Sequence, residues 1–159
     1  MRNSSLGFYE PARGPAPMSH PYQGTVATQE INTSFDWGGG GIVSTLPELT
    51  TFVRALGQGK LFKRQATMDY LLDFAPEANR RFALGARASD YGMGLRRLRY
   101  DDYQFIGHSG SWGCLMYYDV EKDLAIALTI NQGGPGERVR TAFQAILETI
   151  KTNQEHDKN

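Results

Sequence analysis

Cysteine, net charge and long apolar runs are what this sequence has least of. Its 159 residues contain one cysteine, Cys114, which excludes an internal disulfide framework. Seventeen basic residues balance seventeen acidic ones, so the charge does not favour nucleic acid or an anionic membrane as a partner. No apolar run approaches the roughly 18 residues of a membrane span. No cofactor or metal site is predicted, because no cluster of His, Cys, Asp and Glu has metal-ligand spacing.

Glycine is frequent, with 18 residues, and the N-terminal part of the chain is interrupted by prolines. Residues 1–41 are therefore predicted to form an irregular arm, which ends in a run of four glycines at 38–41. Residues 42–90 are predicted to be mainly helical. A length of 159 residues is typical of one domain.

The first predicted helix has clear boundaries. Thr45-x-x-Glu48 matches a capping box with Pro47 in the first turn, and Gly57 ends the helix. A second helix is predicted over about 63–74. The first helix carries an apolar stripe at helical spacing, made of Leu46, Leu49, Phe52, Val53 and Leu56.

Residues 91–151 are predicted to form an antiparallel sheet and a terminal helix, and residues 152–159 to be a frayed tail. The apolar run from Leu124 to Ile130 has no polar face, which indicates a central strand covered on both sides. The fold class is therefore predicted to be α+β, an antiparallel β-sheet with helices packed on it. Strands are expected at 94–100, 103–108, 111–119 and 124–131.

The segment 107–113, Gly-His-Ser-Gly-Ser-Trp-Gly, joins two predicted strands and concentrates the reactive side chains. One interpretation is a hairpin turn with an exposed histidine, His108, because most lone histidines have no catalytic role. A second is a nucleophile elbow, G-x-S-x-G, with Ser109 as nucleophile. The elbow fits poorly, because Ser111 replaces its last glycine and a strand follows where a helix is required.

A third interpretation is a family resemblance. The 107–113 segment, followed by a strand and by the apolar run, resembles the H-x-G active-site strand of serine hydrolases of the β-lactamase/penicillin-binding-protein superfamily. Gly40-Gly-Ile-Val-Ser-Thr45 resembles the start of a helix in that family, and Tyr91-Gly-Met-Gly-Leu95 resembles its YGxG strand. Asn3 to Pro11, with Pro21-Tyr22, resembles its irregular loop. These matches keep the family order and span nearly the whole chain.

The resemblance also implies that parts of the family's site are absent. None of the eight serines has lysine three positions later, so the S-x-x-K nucleophile motif is missing. None of the eight tyrosines has Asn or Ser two positions later, as Y-x-N or Y-x-S requires. Met1 falls where the family has the Met of a Gly-Met step. We therefore expect 1–159 to be the C-terminal part of a β-lactamase/transpeptidase-like domain without its N-terminal segment, and inactive alone.

The resemblance also implies a role for each residue of this chain that matches the H-x-G strand and its surroundings. His108 would face the cleft and hold a tyrosine hydroxyl or a substrate carboxylate, and the Ser111 N–H would be one oxyanion-hole donor. Gly110 would let the acyl group lie against the strand. The residues that would line the substrate are Ser109 and Trp112, with Trp37 and Tyr22 as weaker candidates for which aromatic packing under a loop is an equal alternative.

The same resemblance implies partners. A small-molecule amide or ester, or a peptide, is the expected substrate if an N-terminal half completes the site. A chain without that half would expose a sheet edge, so self-association or pairing with a complementing chain is expected. The alternative function is a non-enzymatic ligand-binding or assembly module on the same scaffold.

Overall fold

The computed structural model describes residues 1–11, 13–14, 17–28, 34–76, 84, 86, 88–134 and 136–156, without the side chains of 35–37, 76 and 88. Three α-helices are formed within these ranges: α1 (Leu46–Gly57), α2 (Gln65–Leu71) and α3 (Gly136–His156). The strands, in chain order, are β1 (Ser5–Leu6), β2 (Tyr22–Gln23), β3 (Val26–Ala27), β4 (Ile42–Val43), β5 (Ala75–Pro76), β6 (Ala88–Tyr91), β7 (Arg96–Tyr100), β8 (Tyr103–Ser109), β9 (Cys114–Asp119) and β10 (Leu124–Thr129).

Strands β5 to β10 form one antiparallel sheet in the order β10-β9-β8-β7-β6-β5. Each strand pairs with the next one along the chain, so the sheet is a meander. The register of β8 places Gly107 opposite Arg96 of β7 and His108 opposite Met116 of β9. The α+β class with an antiparallel sheet and packed helices is confirmed.

Helix α3 covers one face of the sheet. Its apolar residues Val139, Phe143 and Leu147 recur every four residues and are buried, which places them on one side of the helix. The Phe143 ring lies 5.6 Å from the Phe105 ring and 5.8 Å from the Tyr117 ring, centroid to centroid. These aromatic contacts form the centre of the core.

Helix α1 packs on the opposite face, because it contacts Tyr118 while α3 contacts Tyr117, and neighbouring residues of a strand point to opposite faces. The Gly57 position touches the Tyr118 ring so closely that a Cβ would overlap it. Gln58 Nε2 donates a hydrogen bond to Tyr118 Oη at 3.1 Å, and Arg54 Nε pairs with Asp123 Oδ1 at 3.0 Å.

The start of α1 differs from the capping box that the sequence predicts. Thr45 is the N-cap residue, but its side chain makes no capping hydrogen bond. Glu48 instead accepts hydrogen bonds from the Ser4 hydroxyl at 2.5 Å and from the N–H groups of Asn3 at 2.9 Å and Arg2 at 2.6 Å. The hydrogen bonds from Ser4, Asn3 and Arg2 together lower the pKa of the Glu48 carboxyl, against a smaller opposing effect of burial. Glu48 therefore ties the N-terminal arm to α1.

The apolar strand β10, predicted to be central, lies at the edge of the sheet that the described strands form. It pairs with β9 alone among the described strands. Its two apolar faces are explained by the two helices, since both α1 and α3 contact it. The pattern of apolar residues along a strand indicates which of its faces are covered. It does not indicate how many neighbouring strands pair with it.

Three further differences from the sequence prediction concern where helices and strands occur. Helix α3 continues through the residues predicted to fray, as far as His156. Strand β6 forms within the segment predicted to be helical, and α2 is shorter than predicted. The irregular arm contains the antiparallel pairs β1–β4 and β2–β3. No helix within the described ranges has the length and apolar character needed to cross a membrane.

Candidate functional site

The turn between β8 and β9 presents residues 110–113 at one end of the sheet. Gly110 N–H donates to the Cys114 carbonyl at 2.8 Å, and Gly113 N–H donates to the Gly110 carbonyl at 3.2 Å. Gly113 adopts φ of 70°, a conformation that favours glycine. Among the backbone hydrogen bonds of the described residues, none is donated by the N–H of Ser111. Ser111 is exposed.

A strand, β9, comes directly after this turn. A nucleophile elbow requires a strand that runs directly into a helix, so the elbow interpretation of Ser109 is wrong. The hairpin geometry fits the two other interpretations equally, because each expects two antiparallel strands on either side of the turn.

Gly107 is required by strand packing. A Cβ at Gly107 would overlap the Met116 carbonyl oxygen and lie 2.9 Å from Tyr117 Cα. Strands β8 and β9 therefore approach closely there, and this accounts for Gly107 without a ligand. A Cβ at Gly110, in the turn, would lie 2.7 Å from the Cys114 sulfur, a side-chain atom that can shift.

His108 is half-buried near the end of β8. Its Nε2 lies 2.9 Å from the hydroxyl of Tyr91, and either group can donate in this hydrogen bond depending on the imidazole tautomer. The two rings meet edge to face, with centroids 5.7 Å apart and planes at 75°. Tyr91 is 38% exposed, so the pair is accessible from solvent.

Tyr91 is the residue that sequence reasoning missed. It lies in the Tyr-Gly-Met-Gly pattern, but no role in the site was predicted for it. It is 17 residues from His108 in sequence and two strands away in the sheet. A YGxG pattern alone could not reveal this contact, because the contact depends on the registers of β6, β7 and β8.

Ser109 takes a different direction from His108. Adjacent residues of a strand face opposite sides of the sheet. Arg96, which is 6% exposed, donates from Nη1 to Ser109 Oγ at a long 3.4 Å. The Ser109 side chain is thus turned toward Arg96, whose guanidinium carbon also lies 5.5 Å from the centre of the Tyr91 ring.

A small open hollow of about 110 Å³ lies beside the turn, lined by Gln23, Ser111, Trp112, Gly133 and Gly134. These described residues contribute no charged side chain to the lining. The hollow forms because three separate segments meet there.

Backbone hydrogen bonds assemble these segments. Gln132 N–H donates to the Trp112 carbonyl at 2.9 Å, and Gly133 N–H donates to the Tyr22 carbonyl at 2.7 Å. Tyr22 is thus joined through its backbone to Gly133, which lines the hollow, while its side chain is 42% exposed. The side chain of Trp37 lies outside the described residues, so its predicted place in the wall has no structural counterpart.

Cys114 is the remaining reactive side chain near the turn. Burial raises the pKa of its thiol, against opposing hydrogen bonds from the backbone, so the group stays protonated and a poor nucleophile at neutral pH. Groups of three or more His, Cys, Asp or Glu residues able to hold a metal ion do not occur in the part of the chain that is described.

The family model described as "Beta-lactamase" matches residues 3–151. No curated protein sequence matches the chain significantly.

Two solved structures of D-amino acid amidase from Ochrobactrum anthropi SV3 resemble the fold. The complex with D-phenylalanine has 23% sequence identity and a TM-score of 0.72, covering 94% of this chain and 49% of the amidase. The complex with L-phenylalanine amide has 22% identity and a TM-score of 0.73, covering 97% and 48%. The chain therefore spans about half the length of these amidase structures.

Proposed function

Since the chain belongs to the beta-lactamase family, we propose that it forms one wall of a serine acyl-hydrolase site. The observation that carries this proposal is the exposed Ser111 in the turn after β8, three residues beyond His108, which lies near the end of that strand. The N–H of Ser111 is not used by the backbone hydrogen bonds of the turn within the described residues. A backbone N–H of this kind is the donor that an oxyanion hole needs.

In the proposed site, the chain binds and orients and does not attack. Ser111 N–H would stabilise the negative charge that develops on the carbonyl oxygen of the substrate. His108 would hydrogen-bond to a substrate group or to a neighbouring residue. Gly110 would leave room for the acyl group, and Trp112 would line its surroundings. Ser109 would contribute only backbone, because its side chain faces Arg96.

The nucleophile of the proposed reaction must come from elsewhere. No S-x-x-K or Y-x-N motif occurs in the 159 residues, and covalent acyl transfer needs an activated nucleophile. We therefore infer that an additional segment, in the same polypeptide or in another one, supplies it. The chain alone is expected to show no acyl-hydrolase activity.

The proposed substrates are amides and esters of small acids. The amidase structures are complexes with D-phenylalanine and L-phenylalanine amide, so an amino-acid amide is the first substrate to test. The described residues that line the hollow at Ser111 and Trp112 carry no charge, so they offer a charged substrate group no ion-pair partner.

The decisive experiment compares the chain alone with an extended polypeptide, encoded by the chain together with the genomic sequence upstream of Met1. Hydrolysis of a p-nitrophenyl ester and of D-phenylalanine amide is measured for both. Only the extended polypeptide should be active, and its upstream part should contain S-x-x-K.

Two variants of the extended polypeptide sharpen this test. His108→Ala should lower kcat/KM about two- to tenfold, the effect of losing one hydrogen bond. His156→Ala, at an exposed position at the end of α3, is the matched control and should keep its activity. Turnover by the chain alone that His108→Ala abolishes would refute the proposal, and so would an extended polypeptide that contains S-x-x-K and hydrolyses neither substrate.

The sheet edge supports an associated proposal on partners. Strand β10 is paired on one side only among the described strands, and an unpaired edge is a template for a further strand. We infer that β10 pairs with a strand of the completing segment or, without it, with a second copy of the chain. Light scattering should give a mass above 17.7 kDa for the chain alone, and a strict monomer at tens of micromolar, about the range of weak interfaces, would contradict this.

A further inference from the structure

We propose that Gln23 is a specificity-determining residue, whose side-chain oxygen accepts a hydrogen bond from the N–H of the scissile amide and so favours amides over esters. This inference rests on the proposed function, in which the N–H of Ser111 binds the carbonyl oxygen of the substrate. It concerns a residue of β2 in the N-terminal arm, whereas the proposed wall of the site consists of β8 and the turn between β8 and β9.

The first argument is the place of the Gln23 side chain. Gln23 lines the same hollow of about 110 Å³ as Ser111 and Trp112. Its Oε1 lies directly against Gly133, because a Cβ at Gly133 would overlap this oxygen. The ring of Trp112 would lie 3.3 Å from the same Cβ. The carboxamide of Gln23 and the indole of Trp112 therefore both border Gly133 in the lining of the hollow.

The second argument is that the polar atoms of the Gln23 side chain are available. Among the residues that the structure describes, none forms a hydrogen bond with this carboxamide, and Gln23 is exposed. A carboxamide offers one acceptor oxygen and two N–H donors. The N–H of Ser111 donates to no backbone carbonyl of the described residues either. The hollow thus presents an available acceptor at Gln23 and an available donor at Ser111.

The backbone around Gln23 is held on two sides. Gln23 pairs with Val26 in the hairpin of β2 and β3. The preceding residue, Tyr22, donates its N–H to the Asn131 carbonyl at 3.1 Å and accepts from the Gly133 N–H at 2.7 Å. A group on a backbone that is already fixed loses less conformational freedom when a ligand binds. The arm therefore presents the Gln23 carboxamide to the hollow from a defined position.

An acceptor and a donor in one hollow match the two polar ends of an amide. The carbonyl oxygen of an amide can accept from the Ser111 N–H, and its N–H can donate to Gln23 Oε1. An ester has the carbonyl oxygen but no N–H, so it leaves Gln23 Oε1 without a hydrogen bond. A site that hydrogen-bonds a substrate N–H discriminates against the analogue that lacks it.

The size of the hollow agrees with such a group. At about 30 Å³ for each water molecule, 110 Å³ has room for about three waters. A primary carboxamide has three non-hydrogen atoms, so it can occupy this space. The substrate class that follows is an amide whose carbonyl and nitrogen both enter the hollow.

The test measures two substrates that differ only in the leaving group, D-phenylalanine amide and D-phenylalanine methyl ester, with the extended polypeptide. The measured quantity is the kcat/KM for the amide divided by the kcat/KM for the ester. Gln23→Met removes the acceptor and nearly keeps the length of the side chain. It should lower this ratio about two- to tenfold, the effect of losing one neutral hydrogen bond. A general loss of active protein lowers both values equally and does not change the ratio.

Two further variants identify the acceptor as the cause. Gln23→Glu keeps an acceptor oxygen on a side chain of the same length and should preserve the preference for the amide. Gln144→Met makes the same substitution at an exposed position on α3 and should leave the ratio unchanged. A ratio in Gln23→Met that is not lower than in the wild type would overturn the proposal. The same fall in Gln23→Glu as in Gln23→Met would overturn it too, because the acceptor would then not be the cause.

The outcomes for this inference and for the proposed function can be told apart. An extended polypeptide that hydrolyses neither substrate would overturn both. Hydrolysis with the same ratio in the wild type and in Gln23→Met would support the acyl-hydrolase proposal and overturn the role of Gln23 alone. A lower ratio in Gln23→Met, with the preference preserved in Gln23→Glu, would support both.

Discussion

Replacing Gly107 by alanine should destabilise the protein severely, because β8 and β9 leave no space for a Cβ there. The added atom would overlap the Met116 carbonyl oxygen and lie 2.9 Å from Tyr117 Cα. Both obstacles are backbone atoms, so no side-chain rotation can relieve the overlap, and β9 must move away from β8.

The size of the effect can be worked from these contacts. Overpacking of a well-packed site costs about 1–3 kcal/mol. Movement of β9 weakens the backbone pairing on both sides of the contact, where two lost hydrogen bonds cost about 1 kcal/mol each. The sum is about 3–5 kcal/mol in the free energy of unfolding, a large part of the 5–15 kcal/mol typical of a domain.

Urea unfolding, followed by far-UV circular dichroism, measures this loss. With a slope of about 2 kcal/mol per molar urea, the midpoint of Gly107→Ala should fall by about 2 M. Gly39→Ala is the matched control, because a Cβ at Gly39 would meet nothing within 4 Å and its φ is not positive. The control should stay within about 0.5 kcal/mol of the wild type. A Gly107→Ala protein as stable as this control would refute the account of how β8 and β9 pack.

Two other predictions test the core and the N-terminal arm. Phe143→Ala should lower the free energy of unfolding in urea by about 3–5 kcal/mol, because the ring is fully buried among aromatic residues. Phe8→Ala, at an exposed position, should change the free energy of unfolding little. Equal losses in the two variants would contradict the assigned core. The pKa of Glu48 is lowered in the folded protein. The ionised Glu48 carboxylate therefore stabilises the attachment of the arm fully at a pH above the ordinary carboxyl pKa. This stabilisation disappears as the pH falls through the lowered pKa of Glu48. Hydrogen exchange of the Asn3 amide, after correction for its intrinsic pH dependence, should therefore accelerate in acid. The Glu48→Gln variant should lack this extra acceleration. A variant with the same pH profile as the wild type would show that Glu48 does not hold the arm.

Much of the secondary structure could be predicted from local patterns. The spacing of Val53 and Leu56 on α1 correctly indicated a helix with a buried side, and the predicted terminal helix is α3. The strands β7 to β10 were also expected near their observed positions. Helical and strand periodicities are local properties, and a stretch of about ten residues contains enough information to reveal them.

Pairings between distant segments could not be predicted in this way. Glu48 fits a capping box in sequence, yet it binds Ser4 and the N–H groups of the arm, 44 to 46 residues away. The apolar pattern of β10 correctly indicated two covered faces but not a position at the sheet edge. In both cases a local signal was satisfied by a partner that only the folded chain brings near.

The candidate site divides along the same line. The glycines, His108 and the turn residues between β8 and β9 were identifiable from the 107–113 segment, because their chemistry and spacing lie in seven consecutive residues. Tertiary structure alone brought Tyr91 to His108 and turned Ser109 toward Arg96. These relations depend on the register of three strands, where a shift of one residue would reverse the face of every side chain.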